Sequence, residues 1–348
     1  MQHLILSILL AAPTMAEAAK TGAMVFKESP RRRMTIYYPD GWKASDRRPA
    51  LVIFRCRIPE QREHFRRLGM VVIKPQTAPV NSGNLPKLSL AEIATLPKPR
   101  DQVMDTKSAI RFIRANATRL GIAPNKIVAT GTSGGGDLAL QCHLNRAFED
   151  PNDDKSVSPS PDALVLYCPA FDGIDIWFVK MAAVVDRTRS EAPAFEPLLS
   201  RFIEGTNGEY AQPRDHKTAL IGLAAELGKE KGIAEKQTKA FQEILGQFNG
   251  RDWQLLHPVA DALKMSASRI LTRDPLPPTL IMYGERDHLL KYQTAFVARA
   301  KELGQQFDLK IYPRGGHSFM IQPAFLNPST EEVERFLKKH GILPVATN

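Results

Sequence analysis

Cysteine is scarce. Three residues, Cys56, Cys142 and Cys168, are spread over 348 positions. An odd, small count in so long a chain excludes a disulfide-braced scaffold. No C-x-x-C or H-x-x-H spacing offers a zinc site, so no metal is expected. Cys142 lies in a helical pattern and Cys168 ends an apolar run, so both read as small buried hydrophobes. Long apolar stretches are also missing, and no internal segment is long enough to span a bilayer. Internal repeats and low-complexity segments do not occur. Aromatic-laced basic patches and nucleic-acid-binding motifs are absent despite a formal net charge of +10, so no nucleic-acid partner is expected. The basic residues are dispersed apart from Arg31-Arg32-Arg33. That triplet precedes a predicted edge strand and reads as a solvated turn, or as a contact for an acidic polymer or a membrane surface.

Lys and Arg are missing from the first residues as well. There, Leu4 to Ala12 is apolar and Ala16-Glu17-Ala18 supplies small residues. This pattern predicts a secretory signal over residues 1–19, cleaved to leave a mature chain of 20–348 in a secreted or periplasmic location. With the signal removed, no integral membrane segment remains. A short buried helix or a membrane anchor is the alternative use of the same run.

The rest has ordinary globular composition, 43% hydrophobic and 24% charged. Strand runs are read at Met34–Tyr38, Ala50–Phe54, Met70–Lys74, Lys126–Thr130, Ala163–Cys168, Pro278–Tyr283 and Phe307–Tyr312. Helical spacing is read at Glu60–Leu68, Gln102–Leu120, Asp137–Leu144, Gln293–Leu303 and Thr330–Lys339. Gly121 stands where a helix C-terminus favours glycine. From about 175 to 255 strand runs stop and helical segments take over, which predicts a helical insertion. Strands alternating with helices predict an α/β domain with a mostly parallel central sheet covered on both faces.

One junction carries chemistry. Gly131-Thr132-Ser133-Gly134-Gly135 joins the predicted strand at Lys126–Thr130 to the helix at Asp137–Leu144. Taken alone, G-x-S-x-G also describes a plain Gly/Ser loop. Between a strand and a helix it describes a nucleophile elbow, in which a sharp turn exposes the serine hydroxyl above the sheet. A serine needs a base to take its proton and a carboxylate to orient that base. On this arrangement the acid and the histidine follow the serine in chain order, each after a strand. Asp287 follows the strand ending at Tyr283, with Glu285 and Asp252 as fallbacks; a plain loop carboxylate or helix cap is its bland role. His317 follows the strand ending at Tyr312. His64, His143, His216, His257, His288 and His340 fit the order or the strand-end position less well.

Four stretches carry a resemblance to a known family: Asp105–Leu140, Pro161–Asp172, Leu276–Leu290 with its G-x-x-D, and Gly315–Phe319 with Gly-Gly-His. Together they resemble α/β-hydrolases of the carboxylesterase, acetyl-xylan-esterase-like and prolyl-oligopeptidase-like type. The resemblance implies an α/β-hydrolase fold, Ser133 as nucleophile, Asp287 as acid and His317 as base, with no organic cofactor. It also implies ester substrates, small molecules or acylated polysaccharides. The family continues its early core strand into H-G-G, whose backbone N–H meets the oxyanion; here Phe54 is followed by Arg55-Cys56-Arg57. Gly134 N–H supplies one oxyanion donor, and Cys56 or Arg57 stands by position for the second. Arg55 or Arg57 could instead bring a cationic donor or hold an acidic substrate group. The expected activity is thus an exported serine hydrolase of carboxylic esters. A prolyl-oligopeptidase-like peptidase and a catalytically impaired binding protein are the alternatives, the second prompted by Arg55-Cys56-Arg57.

Overall fold

Short β-branched runs that end at glycine or proline leave the chain no periodicity except an extended one, and they build the sheet. The structure, a computed structural model, describes residues 21–56, 58–79, 99–171 and 264–345. Its strands are β1 (Thr21–Glu28), β2 (Arg31–Tyr37), β3 (Arg48–Phe54), β4 (Val71–Pro75), β5 (Ile122–Thr132), β6 (Ala163–Tyr167), β7 (Thr279–Gly284) and β8 (Asp308–Tyr312). The helices, numbered over the same residues, are α1 (Pro59–Arg67), α2 (Pro99–Ala115), α3 (Ala117–Leu120), α4 (Gly134–Leu144), α5 (Ala267–Ile270), α6 (Leu290–Glu302) and α7 (Pro323–Lys339). The predicted signal at 1–19 and the predicted insertion at 175–255 lie outside the described residues. Among those residues no helix is long and apolar enough to cross a membrane.

The eight strands form one sheet in the order β1-β2-β4-β3-β5-β6-β7-β8. The β1–β2 and β2–β4 pairs are antiparallel, and every later pair is parallel. Every residue of β6 and β7 is buried, as parallel strands covered on both faces require. Right-handed crossovers decide which face each helix takes. The β3–α1–β4 connection runs toward β2, whereas β4–α2–β5, β5–α4–β6 and β7–α6–β8 run the other way, so α1 covers the opposite face from α2, α4 and α6. Contacts agree. His64 of α1 bonds Glu334 of α7 at 2.9 Å, and Gln61 of α1 donates to Met320 O just before α7 at 2.7 Å. Each large apolar side chain buried between these layers contributes about 1.5–3 kcal/mol.

Several expectations are corrected in detail. The sequence reading missed β1. The long predicted helix is two, because α2 stops at Ala115 and α3 follows Asn116, with Gly121 as its left-handed cap at φ 64°. Arg31-Arg32-Arg33 is not a turn: it lies inside β2, and β2 is not an edge strand but pairs on both sides. Alternation turns Arg32 inward, where its Nε donates to the fully buried Asp105 at 2.7 Å. Lys27 of β1 bonds the same carboxylate at 2.9 Å and Asp150 at 2.6 Å. The basic residues here fasten the antiparallel β1–β2 pair to α2.

Candidate active site

Parallel strands point their C-terminal ends the same way, so the loops after β5, β6, β7 and β8 share one rim. Ser133, Cys168, Asp287 and His317 lie on those four loops in that order. Topology thus gathers residues far apart in sequence.

Ser133 is the N-cap of α4 at φ 56°, ψ −127°, a conformation costly for a residue with a Cβ. Its backbone is tied on both sides: Ser133 N–H donates to Tyr167 O at 2.9 Å, and Gly136 and Ala170 N–H donate to Ser133 O. Close approach explains the flanking glycines. A Cβ on Gly131 would stand 2.3 Å from the Gly135 carbonyl, and one on Gly135 would stand 2.3 Å from Phe54 O. Ser133 itself is half-buried, and Gly134 N–H has no acceptor earlier in the helix. An N–H at a helix start favours negative charge beside it.

His317 Nδ1 donates to Asp287, 3.0 Å from Oδ1 and 3.1 Å from Oδ2. Asp287 is buried, while the imidazole keeps an exposed edge. Burial raises the Asp287 pKa. Hydrogen bonds from His317, the Leu289 N–H and the Cys168 thiol outweigh burial, and the carboxyl titrates below its ordinary value of 3.8. The acid and histidine loops interlock: a Cβ on Gly284 would stand 2.4 Å from Gly315, and Arg286 N–H donates to Gly315 O at 2.8 Å. Ser133 Oγ makes no hydrogen bond to His317 in this structure.

The other sequence candidates separate clearly. Glu285 is exposed and accepts the Arg314 N–H at 2.8 Å, which leaves Asp287 as the acid paired with His317. Asp252, His216, His257 and Arg57 lie outside the described residues. His64 is bound to Glu334, His143 to Ser160, and His340 packs on Phe336. His288 is exposed, and its ring lies 4.8 Å from that of His317. Cys56 is buried with its sulfur against Thr132 Oγ1.

Cys168 was misread in part. It is buried as expected, but at φ 45° its thiol reaches Asp287, and burial pushes its pKa well up so that it stays a donor. Its sulfur, an Asp287 oxygen and a His317 nitrogen lie within 4.8 Å of one another. The missed signal was its place at the end of the strand between the serine and acid strands. Cys142, on α4, is a buried thiol pushed up to about 12 by burial, as a structural hydrophobe would be.

The fold is that of the α/β-hydrolases, with a serine elbow after β5 and an acid–histidine pair after β7 and β8. A family profile described as BD-FAE matches residues 90–188, which include the elbow. No curated protein matches the chain. Among solved structures, the chain is similar to the native Est2 esterase of the Planctomycetes species Thermogutta terrifontis, with 22% identity over 95% of both chains and a TM-score of 0.59. Esterase 2 of Thermogutta terrifontis phosphorylated by paraoxon is similar at 21% identity, covering 97% of this chain and all of that one, with a TM-score of 0.59. The propionate-bound form of Est2 gives 22% identity at the same coverage and TM-score.

Proposed function

We propose that this chain is an exported serine hydrolase that cleaves carboxylic esters, of small molecules or of acylated polysaccharides. The observation that carries the reading is the elbow backbone of Ser133 on the same rim as the hydrogen-bonded Asp287–His317 pair. In the proposed reaction His317 Nε2 takes the Ser133 proton while Asp287 fixes the tautomer at Nδ1. Ser133 Oγ attacks the ester carbonyl, and Gly134 N–H with a second backbone donor at residue 56 or 57 stabilises the oxyanion. His317 then protonates the leaving alcohol, and water releases the acid by the reverse path. The missing Ser133–His317 hydrogen bond is compatible with this, because such contacts tighten when substrate arrives. Est2 of Thermogutta terrifontis, an esterase that shares the fold, supports the choice of bond. Apolar residues 4–12 support export, and the family resemblance supports acylated polysaccharides.

The same missing bond, with Arg55-Cys56 in place of glycines, favours a second reading: a hydrolase-fold protein that binds without turnover. Turnover of p-nitrophenyl acetate separates them. The ester-hydrolase reading expects measurable kcat/KM in the wild type, falling at least about 1,000-fold in Ser133→Ala and in His317→Ala. A folded wild type with no turnover favours the binding reading.

A further inference from the structure

Arg55 is the first residue after β3, held at φ 44°. Its Nη1 lies 3.6 Å from where a Cβ on Gly134 would stand, so the guanidinium sits beside the residue that follows Ser133. Gln102 of α2 anchors it there. Arg55 Nη1 donates to Gln102 Oε1 at 3.3 Å, while the buried Gln102 donates its own Nε2 to Ala78 O at 2.6 Å. Arg55 is exposed, whereas the arginines with buried side chains have acids within 2.6–3.1 Å: Arg66 has Asp40 and Glu63, Arg111 has Glu149 and Asp153, Arg114 has Asp162. Arg55 has no carboxylate among the described residues, and Nη1 is the one atom of its fork with a partner there. Guanidinium stays protonated in proteins. Among the described residues, a full charge with further donors unused therefore lies beside Gly134.

Topology says which part of a substrate it would meet. β3 lies on one side of β5, and β6, β7 and β8 lie on the other. The leaving alcohol must depart near His317, on the β8 side, so the acyl group remains toward β3. On the β8 side the exposed Arg286 lies next to Glu285, and the exposed Arg314 of the following loop gives its backbone N–H to that same carboxylate, so the charge there is mixed.

We propose that Arg55 binds a carboxylate carried by the acyl group, so that half-esters of short dicarboxylic acids are the preferred substrates. This deepens the proposed function and rests on Ser133 being the nucleophile. In turnover the bond from Ser133 Oγ to the carbonyl carbon forms as the alkoxy group leaves with the proton passed through His317. Water then displaces Ser133, giving the free dicarboxylate and restoring the hydroxyl. The distal carboxylate makes and breaks no covalent bond; the Arg55 fork holds it and so orients the acyl group.

Monoethyl succinate and ethyl levulinate test this, because their acyl groups match in length and differ in ending as carboxylate or neutral methyl ketone. Ethanol release is expected to give the wild type a kcat/KM at least about 10-fold higher for monoethyl succinate. Arg55→Gln should bring that ratio close to one, and Arg55→Lys should keep part of it, since charge remains without the fork. A wild-type ratio near one, or an unchanged ratio in Arg55→Gln, overturns the proposal and leaves ester hydrolysis standing. Equal losses on both esters would likewise overturn it and assign Arg55 to the oxyanion. If Arg55→Gln does not fold, the wild-type ratio and Arg55→Lys decide. A folded wild type that cleaves neither ester overturns this proposal together with the proposed function.

Discussion

Asp287 is buried at the end of β7, yet it holds its charge because His317, Leu289 and Cys168 all donate to it. Its folded pKa lies below 3.8, so between the two values the native state binds fewer protons than the unfolded chain. The stability this contributes is fully present above the unfolded value and is lost as pH falls through the folded one. Acid unfolding followed by circular dichroism should therefore be less steep below pH 4 in Asp287→Asn than in the wild type. Identical acid limbs in the two proteins would show that Asp287 does not carry this linkage. The strand-end positions of Ser133, Asp287 and His317 were legible in the sequence because each follows a strand that ends abruptly, two of them beside glycine. Cys168 was legible as buried but not as a donor: a thiol at a strand end looks like a small hydrophobe until its neighbour strand is known. Arg55 was visible as a departure from H-G-G, but the anchoring amide of Gln102 lies 47 residues away in sequence and no local pattern announces it.

The β5–α4 elbow depends on steric tolerance that differs between adjacent glycines. A Cβ at Gly135 would stand 2.3 Å from Phe54 O, a rigid backbone atom, whereas at Gly134 the nearest atom is the end of Arg55 at 3.6 Å. Gly135→Ala should cost about 3 kcal/mol or more in urea denaturation, since backbone must move to admit the methyl. Gly134→Ala should stay within about 1 kcal/mol of wild type, helped by the better helix propensity of alanine. Equal effects at the two sites would contradict the elbow geometry. Elements with strong periodicity were read well, including β3, β4, β6, β7 and α1. Where local signals conflicted, the reading slipped. β5 runs back to Ile122 through Pro124, and β2 takes in the whole arginine triplet. Pairing with neighbours and the Arg32–Asp105 ion pair override local preference there.

At the scale of the molecule, alternation of strand and helix was enough to predict a mostly parallel sheet. Strand order was not legible, because hydropathy reports burial and says little about which strand lies beside which. Order is nonetheless what places the four rim loops side by side and makes chemistry from residues 133, 287 and 317 conceivable. The central claim is that this gathering makes one hydroxyl uniquely nucleophilic. Reaction of the folded protein with a fluorophosphonate probe, followed by proteolysis and mass spectrometry, tests it most directly. The account predicts a single adduct on Ser133, absent in Ser133→Ala and formed far more slowly in His317→Ala. An adduct on another residue, or labelling that persists in Ser133→Ala, would contradict it.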